Sequence, residues 1–129
     1  MEFVVYNHNP KNRKTDDCVI RSIAFATNDK WENTYRSLSE FGIKNGLMLN
    51  DNRNFKRYIE HYLKYKTQPM PRKSNNNRYT LKEFGELIAE PNRTYLVSVA
   101  KHLTVIKNKK LYDTWDCSKK SVGNYWIVK

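Results

Sequence analysis

The sequence predicts a single α+β domain, with helices in the first part of the chain and an antiparallel sheet in the last part. Up to about residue 90, apolar residues recur at the spacing of one helix face. From Thr94 onward the pattern changes to short runs that are rich in β-branched and aromatic residues, which is typical of strands. A chain of 129 residues has room for one core, so residues 1–129 are expected to form one domain.

The first elements place a buried helix early in the chain. Residues 3–6 are expected to form a short edge strand, and the polar residues 7–15 a loop. Asp16 and Asp17 are good N-cap residues for a helix over 18–26. This segment is apolar on nearly every side, which predicts a helix at the centre of the domain.

Three more helices are expected before the sheet. The second should present a face of apolar residues, begin after Asn28-Asp29 and stop at Gly42 and Gly46. The third, over about 51–65, carries a stripe of five apolar residues, namely Phe55, Tyr58, Ile59, Tyr62 and Leu63. Residues 67–78 are rich in turn formers and predict a loop. A capping box over 80–83 predicts the start of the fourth helix, which Pro91 should close.

Four strands are expected in the last third of the chain, over 95–100, 103–106, 111–115 and 125–128. If Asn108-Lys109 is a two-residue turn, Lys107 pairs with Lys110 and Thr104 with Asp113. His102 then faces residue 115, and the carboxyl group of Asp113 lies diagonal to it on the same face of the sheet. A slip of one residue would instead bring Asp116 opposite His102.

Cys18 is a candidate nucleophile because it stands at the start of the predicted buried helix. The helix dipole and the free N–H groups there favour an anion, so the pKa of the thiol is expected to be low. The commoner interpretation of a single such cysteine is a buried structural thiol. Cys117 precedes a loop-like segment and is expected to be a structural or exposed thiol.

His102 and an acid on the next strand are candidates for the general base and its orienting group. His102 interrupts an apolar strand. The even-numbered residues around it are expected to share its face and to be small enough to leave room for a substrate, namely Ser98, Ala100, Thr104 and Ile106. Asp113 is preferred as the carboxylate, with Asp116 as the alternative. The simpler interpretations are a surface histidine and ordinary turn acids.

These residues resemble the papain-like cysteine peptidases, which carry a cysteine on a central helix, then a histidine on a strand, then an amide or acid on the next strand. Asp113-Thr114-Trp115 is similar to their Asn-Ser-Trp, and Asp17-Cys18 resembles the peptidase domains of bacteriocin exporters. As a whole the chain looks like the small papain-like proteins that bacteriophages and mobile elements encode. The resemblance covers about residues 7–25 and 95–126.

The resemblance implies a papain-like fold and a mechanism. Cys18 would attack a carbonyl carbon, His102 would move the proton, Asp113 would hold His102, and Trp115 would keep water from that pair. Asn12 stands six residues before Cys18, at the place of the family's oxyanion-hole Gln, although Asn7 and Asn9 compete for this role. No cofactor or metal is implied, and the spacing of cysteines and histidines predicts no zinc site.

The charge of +11 limits the classes of partner. It is expected to serve the docking of a protein or peptide substrate with acidic character, and it also permits a basic nucleic-acid-binding module. A third hypothesis is a papain-like fold without activity that binds or inhibits a host factor. The chain shows no transmembrane or secretory pattern, so no membrane partner is expected and the predicted location is the cytoplasm, that of the host if a phage encodes the protein.

Overall fold

The structure is a computed structural model that describes all of residues 1–129, and it confirms the α+β class. Its helices are α1 (Cys18–Ala26), α2 (Trp31–Asn45), α3 (Asn52–Arg57, continued by a π-helical turn over Tyr58–Tyr62) and α4 (Leu81–Leu87). Its strands are β1 (Glu2–Val5), β2 (Thr94–Val99), β3 (His102–Lys107), β4 (Lys110–Asp113) and β5 (Tyr125–Val128). None of the helices is long and apolar enough to cross a membrane.

The five strands form one mixed sheet in the order β1-β4-β3-β2-β5. The four later strands pair antiparallel, whereas β1 runs parallel to β4. The expected edge strand is therefore present, but the expectation of a purely antiparallel, C-terminal sheet was wrong. The chain passes from β1 through all four helices and then through β2 and β3 before it reaches β4. Only a long connection lets two strands pair in parallel in this way.

The hairpin between β3 and β4 has the predicted turn. Asn108 and Lys109 both have positive φ, at 51° and 62°, as the two central residues of a type I′ hairpin turn require. Lys107 consequently pairs with Lys110, and Val105 with Tyr112. Continuing this register brings Thr104 opposite Asp113, where β4 ends.

The neighbour of His102 on β2 is Val99, because these two residues pair across the β2–β3 hairpin. Ser98 pairs instead with Leu103, and Ala100 lies outside both strands. The expectation was therefore wrong for Ser98 and Ala100, whereas the small residue Thr104, two positions along β3, does share the face of His102. The reason is that the two segments are separate strands joined by a turn, so alternation along the chain does not carry across it.

Helix α1 lies on the sheet as predicted, with a buried apolar surface. Its core side chains pack with those of the sheet and of α3 in one cluster, whose members include Val19, Ile20, Ile23, Phe55, Leu96, Leu103 and Trp126. The hydroxyl of Ser22 donates a hydrogen bond of 2.8 Å to the backbone oxygen of Leu103 on β3. This packing brings the first residue of α1 close to the first residue of β3.

Two predictions about the helices differ from the structure, one about where α2 ends and one about the apolar stripe of the third helix. Gly42 lies inside α2, and only Gly46, with φ of +67°, ends that helix. A Cβ at Gly42 would lie 2.6 Å from the backbone oxygen of Leu47, so this glycine lets the returning chain approach the helix. In the third helix the π-helical turn shifts the apolar stripe, which leaves Tyr62 58% exposed while Tyr58 is 3% exposed.

Candidate active site

A cleft of about 840 Å³ opens between the N-terminus of α1, the start of β3 and the start of α3. Cys18 and His102 both line it, together with Trp115. Val19 and Phe55 contribute apolar side chains to its wall. The structure thus places the candidate thiol and the candidate imidazole in the same solvent-accessible space.

The thiol of Cys18 stands on the first residue of α1 and is partly exposed. Burial raises the pKa of this thiol, but hydrogen bonding to His102 and to the backbone of Leu103, and the positive charges of His102 and Arg21, outweigh it and leave the pKa below its ordinary value. The thiolate is therefore the favoured form over a wider pH range than for a free cysteine.

The amide N–H groups at the start of α1 have no partner within the chain. Asp17 occupies the N-cap position, but its side chain makes no capping hydrogen bond. The first backbone donor of the helix with an acceptor is Arg21, which donates to the carbonyl of Asp17. Because Cys18 and Val19 line the cleft and their N–H groups have no acceptor, this end of α1 can donate to an anion or a developing oxyanion.

His102 is held by Asp113. Its Nε2 lies 2.6 Å from Oδ2 of Asp113, which leaves Nδ1 as the ring nitrogen for the Cys18 thiol. Burial lowers the pKa of His102, but hydrogen bonds with Asp113, Cys117 and Cys18 and the charge of Asp113 raise it well above the ordinary value. The ring of Trp115 lies against the imidazole, with ring centroids 5.0 Å apart and an angle of 50° between the planes.

The Asp113 carboxylate accepts several hydrogen bonds and is 5% exposed. Oδ2 accepts from the hydroxyl of Thr104 at 2.6 Å, and Oδ1 from the backbone N–H of Thr114 at 2.7 Å. Burial raises the pKa of Asp113, but the hydrogen bonds from His102 and Thr104 outweigh it and lower the pKa. Asp116, the alternative acid, is exposed and accepts a hydrogen bond from the Ser118 backbone instead.

Asn12 does not reach the cleft, which is a correction to its expected place in an oxyanion hole. It is exposed, has φ of +52°, and its backbone N–H donates to the carbonyl of Asn9. The two competing amides also point elsewhere, because Asn9 donates to Asp17 and Asn7 to the Arg13 carbonyl. The loop before α1 folds on itself through these bonds, and spacing along the chain cannot reveal such a fold. The unpaired N–H groups of α1 are the donors that the structure offers in their place.

Arg21 is a site residue that the sequence-based prediction missed. It is 8% exposed, with Nε 3.1 Å from Oδ1 of Asp17 and Nη2 3.8 Å from Oδ1 of Asp113. Its Nη1 donates to the hydroxyl of Thr114 at 3.4 Å. A buried cation between two carboxylates ties the start of α1 to the end of β4. The available signal was a lone charged residue in an otherwise apolar helix, four residues after an aspartate.

Replacing Arg21 by methionine is expected to raise the pKa of the Cys18 thiol, because the positive charge of Arg21 is one of the causes that lower it. The rate of Cys18 alkylation by iodoacetamide near neutral pH should fall by about twofold to tenfold. Arg21→Lys keeps the charge and should restore most of that rate. Arg36→Met removes an exposed arginine of α2 and is the matched control. An unchanged pH profile in Arg21→Met would mean that Arg21 only stabilises the fold.

Cys117 lies beside the same cluster, although its sequence context predicted no link to the site. It is 1% exposed, and its Sγ lies 3.6 Å from Oδ2 of Asp113. Ligand atoms of His102, Asp113 and Cys117 lie within 4.8 Å of one another. A tetrahedral zinc ion with bonds of about 2.0 Å holds its nitrogen and oxygen ligands about 3.3 Å apart. The 2.6 Å between Nε2 and Oδ2 is instead a hydrogen-bond length, so the cluster fits a hydrogen-bonded group better than a metal centre.

Searches against protein-family models, curated proteins and solved structures found no significant match to this chain.

Proposed function

We propose that the protein is a cysteine peptidase or a related amide hydrolase, in which Cys18, His102 and Asp113 form the catalytic triad. The observation that carries the proposal is the pairing in one cleft of a thiol with a lowered pKa and an imidazole with a raised pKa. Opposite shifts of this kind favour a thiolate–imidazolium pair, which is the reactive state of a nucleophilic cysteine.

The proposed reaction divides the roles among these side chains. The Cys18 thiolate attacks the carbonyl carbon, and Nδ1–H of His102 donates its proton to the leaving amine, which gives a thioester on Sγ. His102 then removes a proton from water, which attacks the thioester and releases the acid and the thiolate. Asp113 accepts the Nε2–H bond throughout and keeps the ring in the required orientation. The N–H of Cys18 is the proposed oxyanion donor.

The same features support placing the chain with the papain-like proteins, which we propose as its fold relationship. They are the buried helix that begins at the nucleophile, the histidine at the start of β3 and the carboxylate at the end of β4. Trp115 beside the imidazole supports the proposed shielding role, although with 42% of its surface exposed it covers the pair only in part.

Acylation by p-nitrophenyl acetate tests the proposal without knowledge of the natural substrate. We expect a burst of nitrophenol stoichiometric with protein, and an acetyl thioester on the Cys18 peptide in mass spectrometry. Cys18→Ser should abolish both signals. Cys117 should stay unmodified in the native protein because it is buried, and should react only after denaturation. A rate of nitrophenol release equal to that of Cys18→Ser would contradict the proposed activity.

A further inference from the structure

A shallow groove of about 650 Å³ continues from the cleft along α3. Asn52, the first residue of α3, lines both the cleft and the groove. Beyond Asn52 the groove follows Arg53, Lys56 and Arg57. Lys56 lies four residues after Asn52, which is about 6 Å along the helix axis. A bound polypeptide that leaves the cleft past Asn52 would therefore meet the basic side chains of the groove directly.

All charged side chains that line the groove are cationic. Its charged lining residues are Arg53, Lys56 and Arg57, and no acidic side chain lines it. Only Arg53 has an ion pair, with Asp51 at 2.9 Å, and Lys56 and Arg57 have none. The two lysines that line the cleft, Lys14 and Lys101, are exposed and without ion pairs, and the acid Asp16, which has no ion pair either, lines the same cleft. The excess positive charge is thus concentrated on the α3 side.

The chemistry of this groove fits carboxylates of an extended polypeptide better than a nucleic acid. Exposed aromatic side chains that stack on bases usually accompany the cations in a single-strand binding surface. The groove has no aromatic lining residue, since Asn45, Leu47 and Asn52 complete its wall. The lysine and arginines can attract carboxylates over several ångströms, which favours acidic over basic partners.

We propose that the substrate is a polypeptide with a cluster of Asp or Glu residues on one side of the reacting amide, and that these carboxylates bind Lys56 and Arg57 in the α3 groove. This inference rests on the proposed function of the Cys18 site, and it names a substrate class for that site. The reacting segment itself lies in the cleft, where the carbonyl meets Cys18.

Binding of labelled peptides to the full chain with Cys18→Ala tests this inference. The probes are a fluorescent Gly-Ser peptide with a run of glutamates, the same peptide with glutamines, and a single-stranded oligonucleotide of equal charge. We expect the glutamate peptide to bind most tightly, and its affinity to fall by about tenfold or more in Lys56→Glu/Arg57→Glu. The matched control is Lys119→Glu/Lys120→Glu, which reverses two exposed charges in a loop outside both the cleft and the groove.

A second readout places the peptide at the site. In the wild-type protein the glutamate peptide should slow the alkylation of Cys18, and Lys56→Glu/Arg57→Glu should remove this protection. Equal binding of the glutamate and glutamine peptides, tighter binding of the oligonucleotide, or equal losses in the two double variants would overturn the inference. These three outcomes are all measured by binding to the Cys18→Ala protein, which has no thiol at the site. They are therefore independent of whether Cys18 acylates.

Discussion

Replacing His102 by alanine is expected to lower the rate of Cys18 alkylation by iodoacetamide near neutral pH by about 10- to 100-fold. The hydrogen bond and the positive charge of His102 are the main causes that lower the pKa of the thiol, and burial acts against them. Without the imidazole, burial still raises the pKa of the thiol, and only the bond to the Leu103 backbone and the charge of Arg21 remain to lower it, so the pKa should rise. Each unit by which the pKa exceeds the pH lowers the thiolate fraction about tenfold.

The measurement is the pH profile of alkylation at the Cys18 peptide, followed by mass spectrometry. His61→Ala removes an exposed histidine from the turn after α3 and should leave the profile unchanged. If His102→Ala alkylates at the wild-type rate across the whole pH range, the imidazole does not activate the thiol.

Replacing Asp113 by alanine is expected to have the largest effect on stability, a loss of about 3 kcal/mol or more in the free energy of unfolding. The side chain is 3% exposed and carries hydrogen bonds from His102, Thr104 and Thr114, and the nearby charge of Arg21. Alanine would leave these donors and a buried cation without their acceptor. Asp116→Ala, at an exposed acid three residues later, is the matched control and should cost little. Similar unfolding midpoints for the two variants in urea would contradict this assignment.

Asp113→Asn separates the charge from the shape, because an amide oxygen can still accept from Nε2–H. The lowered pKa of Asp113 gives stability that is present above the ordinary carboxyl pKa of about 3.9 and lost as the pH falls through the folded-state value. The raised pKa of His102 gives stability that is present below about 6.5 and lost as the pH rises through its folded-state value. The wild-type advantage over Asp113→Asn should therefore be largest between about pH 4 and pH 6.5. An advantage that is the same at every pH would show that the pair is not ionised.

Local patterns predicted the parts of the fold that depend on neighbours along the chain. The apolar segment after Asp17 begins and ends as helix α1 does, and the pair Asn108-Lys109 predicted the register that places Asp113 near His102. The parallel pairing of β1 with β4 depends on contacts between distant segments, and no local pattern encodes it. The π-helical turn after Arg57 was missed for a related reason, because an apolar stripe at i, i+3 and i+4 fits an α-helix equally well.

The candidate site shows the same division. Cys18, His102 and Asp113 come together because a helix start and a hairpin register can be derived from short spacings. Asn12 was misplaced because its position depends on how a polar loop folds, and Asn9 and Asn7 bond within that loop instead of facing the cleft. Arg21 was missed because its contacts with Asp113 and Thr114 join segments that are far apart in the sequence. Cys117 was missed because its burial beside Asp113 depends on how the chain turns after β4.

Titration of the Cys18 thiolate tests the central claim most directly, by ultraviolet absorbance of the wild-type protein against Cys18→Ser over a range of pH. The lowered pKa of Cys18 beside His102 predicts that the absorbance difference persists as the pH falls below the ordinary thiol pKa of about 8.5. His102→Ala should move the transition upward in pH. A wild-type transition at or above the ordinary thiol pKa of about 8.5 would contradict a thiolate–imidazolium pair, and with it the proposed catalytic site.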